Sequence, residues 1–104
     1  MALTSEPNLN ATNGVAPARD QISVVIIEDI REVREGLSAL INGTRGFRCV
    51  GAYYSMESAL DKIANEVPNV ILTDIGLPGM SGIRGAEILH ERYPQVPVLA
   101  LTRT

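Results

Sequence analysis

The chain has 104 residues, enough for one small domain, with 45% hydrophobic residues and a net charge of −3. Nine Lys and Arg are scattered among twelve Asp and Glu, which excludes an electrostatic footprint for nucleic acid, and the single Cys49 cannot close an intramolecular disulfide. No run approaches the roughly 20 apolar residues of a membrane-spanning helix.

Residues 1–20, MALTSEPNLNATNGVAPARD, are polar and hold Pro7, Gly14 and Pro17 without helical or alternating apolar spacing, which predicts a flexible tail. They lack the basic start and apolar centre of a signal peptide, so the expected compartment is the cytoplasm. From Gln21 to Thr104 the texture changes to that of a folded domain. ISVVIIED, residues 22–29, contains four consecutive Val and Ile and reads as a strand buried on both faces, as in a parallel sheet. Ile30, Val33, Leu37, Leu40 and Ile41 then follow the spacing of one helix face, with Gly43 as the stop.

FRCVGAY, residues 47–53, predicts a second strand and places Cys49 as a small buried hydrophobe. A second helix opens at Ser55 and closes before Pro68, with Met56, Ala59, Leu60, Ile63, Ala64 and Val67 as its apolar stripe. NVILTD is the third strand and ends on Asp74. After the loop IGLPGMSG, a third helix from Ser81 to Arg92 carries Ile83, Ala86 and Leu89 inward and leaves His90 in solvent. VPVLALT, residues 96–102, is a fourth strand. Alternating strands and helices imply right-handed crossovers and an α/β doubly wound parallel sheet, whose ligand site lies beyond the carboxyl ends of the strands.

The residues collected there are Glu28 and Asp29 after the first strand, Asp74 after the third and Thr102 after the fourth. In a flavodoxin-like order strands one and three are neighbours, so three acids share one crevice, with no basic residue in the surrounding loops. Such a cluster repels itself unless protons or cations relieve it. Hard oxygen ligands suit Mg²⁺, which takes one or two carboxylates and completes its shell with water and phosphate oxygens. With the charge so relieved, a carboxylate can act as a nucleophile toward phosphorus, and the Thr102 hydroxyl offers the phosphoryl group a partner. Gly76 and Gly79 permit close backbone approach, and Pro78 stiffens the loop.

The acidic pair Glu28-Asp29, Asp74 within LTDIGLPGMSG, and LALT ending at Thr102 stand in order, with Asp74 45 positions after Asp29 and 28 before Thr102. In these residues the chain resembles the receiver domain of two-component response regulators, over residues 22–104. The wording DIGLPGMSGI is most similar to receivers preceding a LuxR/FixJ-type helix-turn-helix. The resemblance implies a flavodoxin-like (CheY-like) fold. It implies Asp74 as phosphoacceptor, Mg²⁺ held by Glu28, Asp29, Asp74 and the backbone carbonyl of Gly76, and Thr102 as the switch hydroxyl. It also implies a histidine kinase as donor, a separate DNA-binding output domain, a homodimer of the full-length protein, and no turnover other than phosphorylation and dephosphorylation of Asp74.

A complete receiver continues through a fourth helix, a lysine-bearing fifth strand and a fifth helix. The single lysine here, Lys62, falls in the predicted second helix, so about four strands and three helices of an incomplete receiver are expected. Two other readings stand beside this one. One is an interaction module that is never phosphorylated, or an inactive fragment. The other is a phosphatase of the haloacid-dehalogenase type, which needs a second acid two residues after its nucleophile, where this chain has Gly76.

Overall fold

The computed structural model of the protein describes residues 21–101, so the predicted tail and Thr102 lie outside the described residues. In chain order the elements are β1 Ile22–Ile27, α1 Arg31–Asn42, β2 Phe47–Tyr53, α2 Met56–Lys62 with a 3-10 turn Ile63–Asn65, β3 Val70–Asp74, α3 Gly82–Arg92 and β4 Val98–Leu101. The strands form one parallel sheet in the order β2-β1-β3-β4. The alternation of strands and helices predicts such a parallel sheet, and the order is the flavodoxin-like one that the resemblance implies.

β1 occupies a central place because Val24, Val25, Ile26 and Ile27 have apolar cover on both faces. Strand alternation divides them. Val25 and Ile27 join Ile71 of β3 in a core with Met56, Ala59, Ile63, Leu77 and Leu89, delivered by α2, its 3-10 turn, the loop after β3 and α3. Val24 and Ile26 face the other side, where α1 leans on β1 and β2. Each such burial contributes roughly 2 kcal/mol before the entropy of ordering is deducted. A polar clasp sets the register at the opposite end of the sheet. Ser23 N donates to Asn69 Oδ1 at 2.8 Å, and Asn69 N donates to Ser23 Oγ at 3.0 Å.

Several boundaries and faces differ from the sequence expectations. β1 ends at Ile27 instead of continuing through Asp29, and β4 begins at Val98 instead of Val96. Gly43 does stop α1, but in right-handed geometry at φ −84°, so the stop owes nothing to a left-handed cap. α2 gives way to the 3-10 turn after Lys62, which keeps Ile63 buried while Ala64 and Val67 point outward. Cys49 is half-buried, its Sγ 3.4 Å from Gly51 O.

The largest reassignment concerns α3. Ile83 is 63% exposed, and the inward residues are Gly82, Gly85 and Leu89. A Cβ at Gly85 would collide with the Met56 side chain, so the missing side chain is what lets α3 close on α2. On α1 no residue is fully buried, and Leu40 is 66% exposed. The cause is partial cover: α1 leans on β1 and β2, while Leu99 on β4 remains 52% exposed.

Candidate functional site

Parallel pairing of β1 with β3 matches Ile27 to Thr73, so the next residues, Glu28 and Asp74, lie side by side at the carboxyl ends of the two strands. Glu28 N still donates to Tyr53 O at 2.9 Å, which carries the sheet pairing one residue past β1. Its side chain is buried and folds back, with Oε2 accepting from Ile30 N at 2.9 Å. Asp74 is buried too, and its Oδ1 accepts from Gly76 N at 3.0 Å. Asp29 lies half-buried beside them. One carboxylate oxygen from each of Glu28, Asp29 and Asp74 falls within 4.8 Å of the other two.

That span decides what the cluster can hold. Neighbouring oxygens on one face of an octahedral Mg²⁺ stand about 3.0 Å apart and opposite ones about 4.2 Å, so oxygens within 4.8 Å of one another come into one cation shell by side-chain movements of at most about 1.8 Å per pair. The two charges of any pair also repel by about 3.5 kcal/mol at 4.8 Å and an effective dielectric near 20. A divalent cation removes this cost from every pair together. Hard oxygen donors, two of them buried, therefore fit a cation of this class.

The structure brings together three of the residues that the sequence singles out, and places Gly76 two positions after Asp74 in an exposed turn. His90 is exposed, as expected. Two residues that hold the segments around the triad were missed. Arg34, one turn into α1, donates from Nη1 to the carbonyl oxygens of Glu28 at 3.0 Å and Asp29 at 3.5 Å. A cation therefore does stand by the acidic pair, brought by the helix and not by a loop. Glu57 on α2 accepts from Met80 N at 3.1 Å and thereby grips the loop after Asp74. No signal in the sequence points to either, because Arg34 reaches backbone carbonyls and Glu57 a backbone amide 23 residues away.

The family profile of the response regulator receiver domain matches residues 24–104. This chain belongs to that family. Similar proteins include response regulator FleR of Pseudomonas aeruginosa, 38% identical over 76% of the chain, and transcriptional regulatory protein DegU of Brevibacillus brevis, 34% identical over 80% of it. The receiver spans 16% of FleR and 35% of DegU. Among solved structures, the signal receiver domain of the response regulator NarL from Mycobacterium tuberculosis superposes with TM-score 0.74 at 26% identity, covering 80% of this chain and 67% of that one. The isolated receiver domain of RcsB from Salmonella enterica, determined with the phosphomimetic BeF₃⁻, gives 0.75 at 20% identity, covering 81% and 63%. Both the family and the fold expected from the sequence are borne out. Among the described residues of this receiver, no helix is long and apolar enough to cross a membrane.

Proposed function

We propose that this receiver takes a phosphoryl group from the phosphohistidine of a histidine kinase onto Asp74. An oxygen of the Asp74 carboxylate attacks phosphorus, the phosphorus–nitrogen bond to the donor imidazole breaks, and an acyl phosphate forms while the imidazole leaves with the electron pair. Water later hydrolyses the acyl phosphate, and no further turnover belongs to the chain. Glu28, Asp29, Asp74 and the backbone carbonyl of Gly76 hold Mg²⁺, which supplies positive charge against the phosphoryl oxygens. The hydrogen bond from Gly76 N fixes how the Asp74 carboxylate is turned. Thr102 provides the hydroxyl for the phosphoryl group.

The observation that carries this reading is the meeting of Glu28, Asp29 and Asp74 oxygens within 4.8 Å in a chain of the receiver family. Two relatives support the output: DegU is a transcriptional regulatory protein, and RcsB has been solved bound to DNA. In this reading residues 21–104 are the receiver domain of a cytoplasmic regulator whose DNA-binding domain is a separate unit, and the full-length protein works as a homodimer. A phosphatase of the haloacid-dehalogenase type is disfavoured because Gly76 offers no carboxylate two residues after Asp74.

Incubation with acetyl phosphate and Mg²⁺ tests the proposal. The expected product gains the mass of one phosphoryl group on a peptide containing Asp74, loses it to hydroxylamine, and is not formed by Asp74→Asn or in EDTA. An unchanged mass would favour the interaction module that is never phosphorylated.

A further inference from the structure

The loop between Asp74 and α3 is pinned at two ends. At its start Gly76 N donates to Asp74 Oδ1 at 3.0 Å, and near its finish Met80 N donates to Glu57 Oε2 at 3.1 Å. Between them Leu77 is buried in the core, so the loop cannot lift away as a flap without exposing it. Glu57 arrives from α2, whose neighbouring Met56 packs where Gly85 of α3 has no side chain. The contact that closes α2 on α3 therefore also delivers the carboxylate to the loop.

A second observation shows that loop and carboxylate are shaped to each other. Gly79 adopts φ +73°, in the left-handed region, and a Cβ there would come within 2.9 Å of Glu57 Oε2. A side chain at position 79 would be strained by the backbone and would displace the acceptor of the Met80 bond. Glu57 is otherwise surface-exposed, and the N-cap of its own helix is already satisfied by Ser55 Oγ accepting from Ser58 N at 3.0 Å. The bond it makes thus serves the loop and not α2.

We infer that Glu57 is a positioning residue that holds the loop after Asp74, and with it the Gly76 backbone, in the geometry required for cation binding. The inference rests on the assignment of Asp74 and Gly76 to the Mg²⁺ site. Glu57 acts as a hydrogen-bond acceptor and not as a remote negative charge. The glutamine variant keeps an acceptor oxygen and the alanine variant does not, so the two separate these roles.

The test is calorimetric titration with Mg²⁺, paired with amide hydrogen exchange followed by NMR, on the wild-type chain, Glu57→Ala, Glu57→Gln and Gly79→Ala. Loss of one charge-assisted bond predicts a Mg²⁺ dissociation constant raised about fivefold in Glu57→Ala and in Gly79→Ala, and changed less than about twofold in Glu57→Gln. Exchange at Met80 N should accelerate in the two alanine variants while the β1 and β3 amides keep their protection, a pattern that general destabilisation does not produce. Equal loss in Gln and Ala would make Glu57 a charge effect and overturn the inference. So would wild-type affinity in Glu57→Ala, even if that variant remains fully folded. Should Glu57→Ala fail to fold, Gly79→Ala carries the comparison, and wild-type affinity there refutes the inference. A wild-type chain that binds no Mg²⁺ defeats the cation site itself, an outcome distinct from the others.

Discussion

Replacing Asp74 with asparagine should stabilise this receiver when divalent cations are absent. The substitution keeps the shape of the side chain and an oxygen able to accept from Gly76 N, but removes one of three charges held within 4.8 Å. Two repulsive pairs disappear, each about 3.5 kcal/mol at an effective dielectric near 20, which gives about 7 kcal/mol for a rigid, fully ionised cluster. Proton uptake sets a lower ceiling, since neutralising an ordinary aspartate at pH 7 takes about 4 kcal/mol. Relaxation of the half-exposed Asp29 reduces the figure further. A gain of about 2 kcal/mol is expected, equivalent to roughly 10 °C in a domain of this size. Thermal unfolding followed by circular dichroism in EDTA measures it. Addition of Mg²⁺ should raise the wild-type midpoint and close most of the gap. An Asp74→Asn protein no more stable than wild type in EDTA would refute the account of the cluster as a store of repulsion.

Arg34→Ala removes the guanidinium from the Glu28 and Asp29 carbonyls and should cost about 1 kcal/mol in urea unfolding without divalent cation, with a smaller deficit in saturating Mg²⁺; an equal deficit in both conditions would disconnect Arg34 from the acids. Gly82→Ala should be more damaging, about 3 kcal/mol by the same assay, because its Cβ collides with the Asp74 carbonyl and comes within 2.7 Å of Ile75 Cα, both backbone atoms that cannot rotate aside; a cost under about 1 kcal/mol would show that the loop yields. Burial, followed by the charges of Cys49 and Glu66, pushes the Tyr53 phenol above its usual range, so the folded state favours the protonated form. The associated stability is complete below about pH 10, where an unfolded tyrosine titrates, and is lost as pH climbs through the folded value. Urea midpoints recorded on either side of that range should show this decline weakened in Tyr53→Phe, and identical profiles would discount the shift.

Much of the fold was legible because it is written in contiguous runs. VVII reads as a strand with cover on both faces and Ser55 caps α2 as predicted, while Ser81, expected as the first residue of α3, stands one place outside it as the cap. The acidic triad was legible because strand ends can be counted without knowing any side-chain contact. What misled the reading of α3 was the weight that apolar periodicity gives to large residues. Gly82 and Gly85 carry no hydrophobic signal, yet they face inward because the Asp74 carbonyl and the Met56 side chain occupy the space. Val67 was assigned to a helical stripe that the tightening after Lys62 rotates out of line. Arg34 and Glu57 escaped for a different reason. Their partners are backbone atoms, at the Glu28 and Asp29 carbonyls and the Met80 amide, and backbone atoms have no letter in a sequence.

The central pairing of β1 with β3, across an intervening strand and two helices, also governs when the cation can act during folding. Val24 must meet Val70, and Ile27 must meet Thr73, before Glu28 and Asp74 are neighbours at all. Closing so long a stretch of chain is the slow, entropically costly part of assembling a parallel sheet. A divalent ion that binds the carboxylates only after this closure lowers the native state and leaves the preceding barrier untouched. Mg²⁺ should therefore lengthen the lifetime of the folded receiver without hastening its formation.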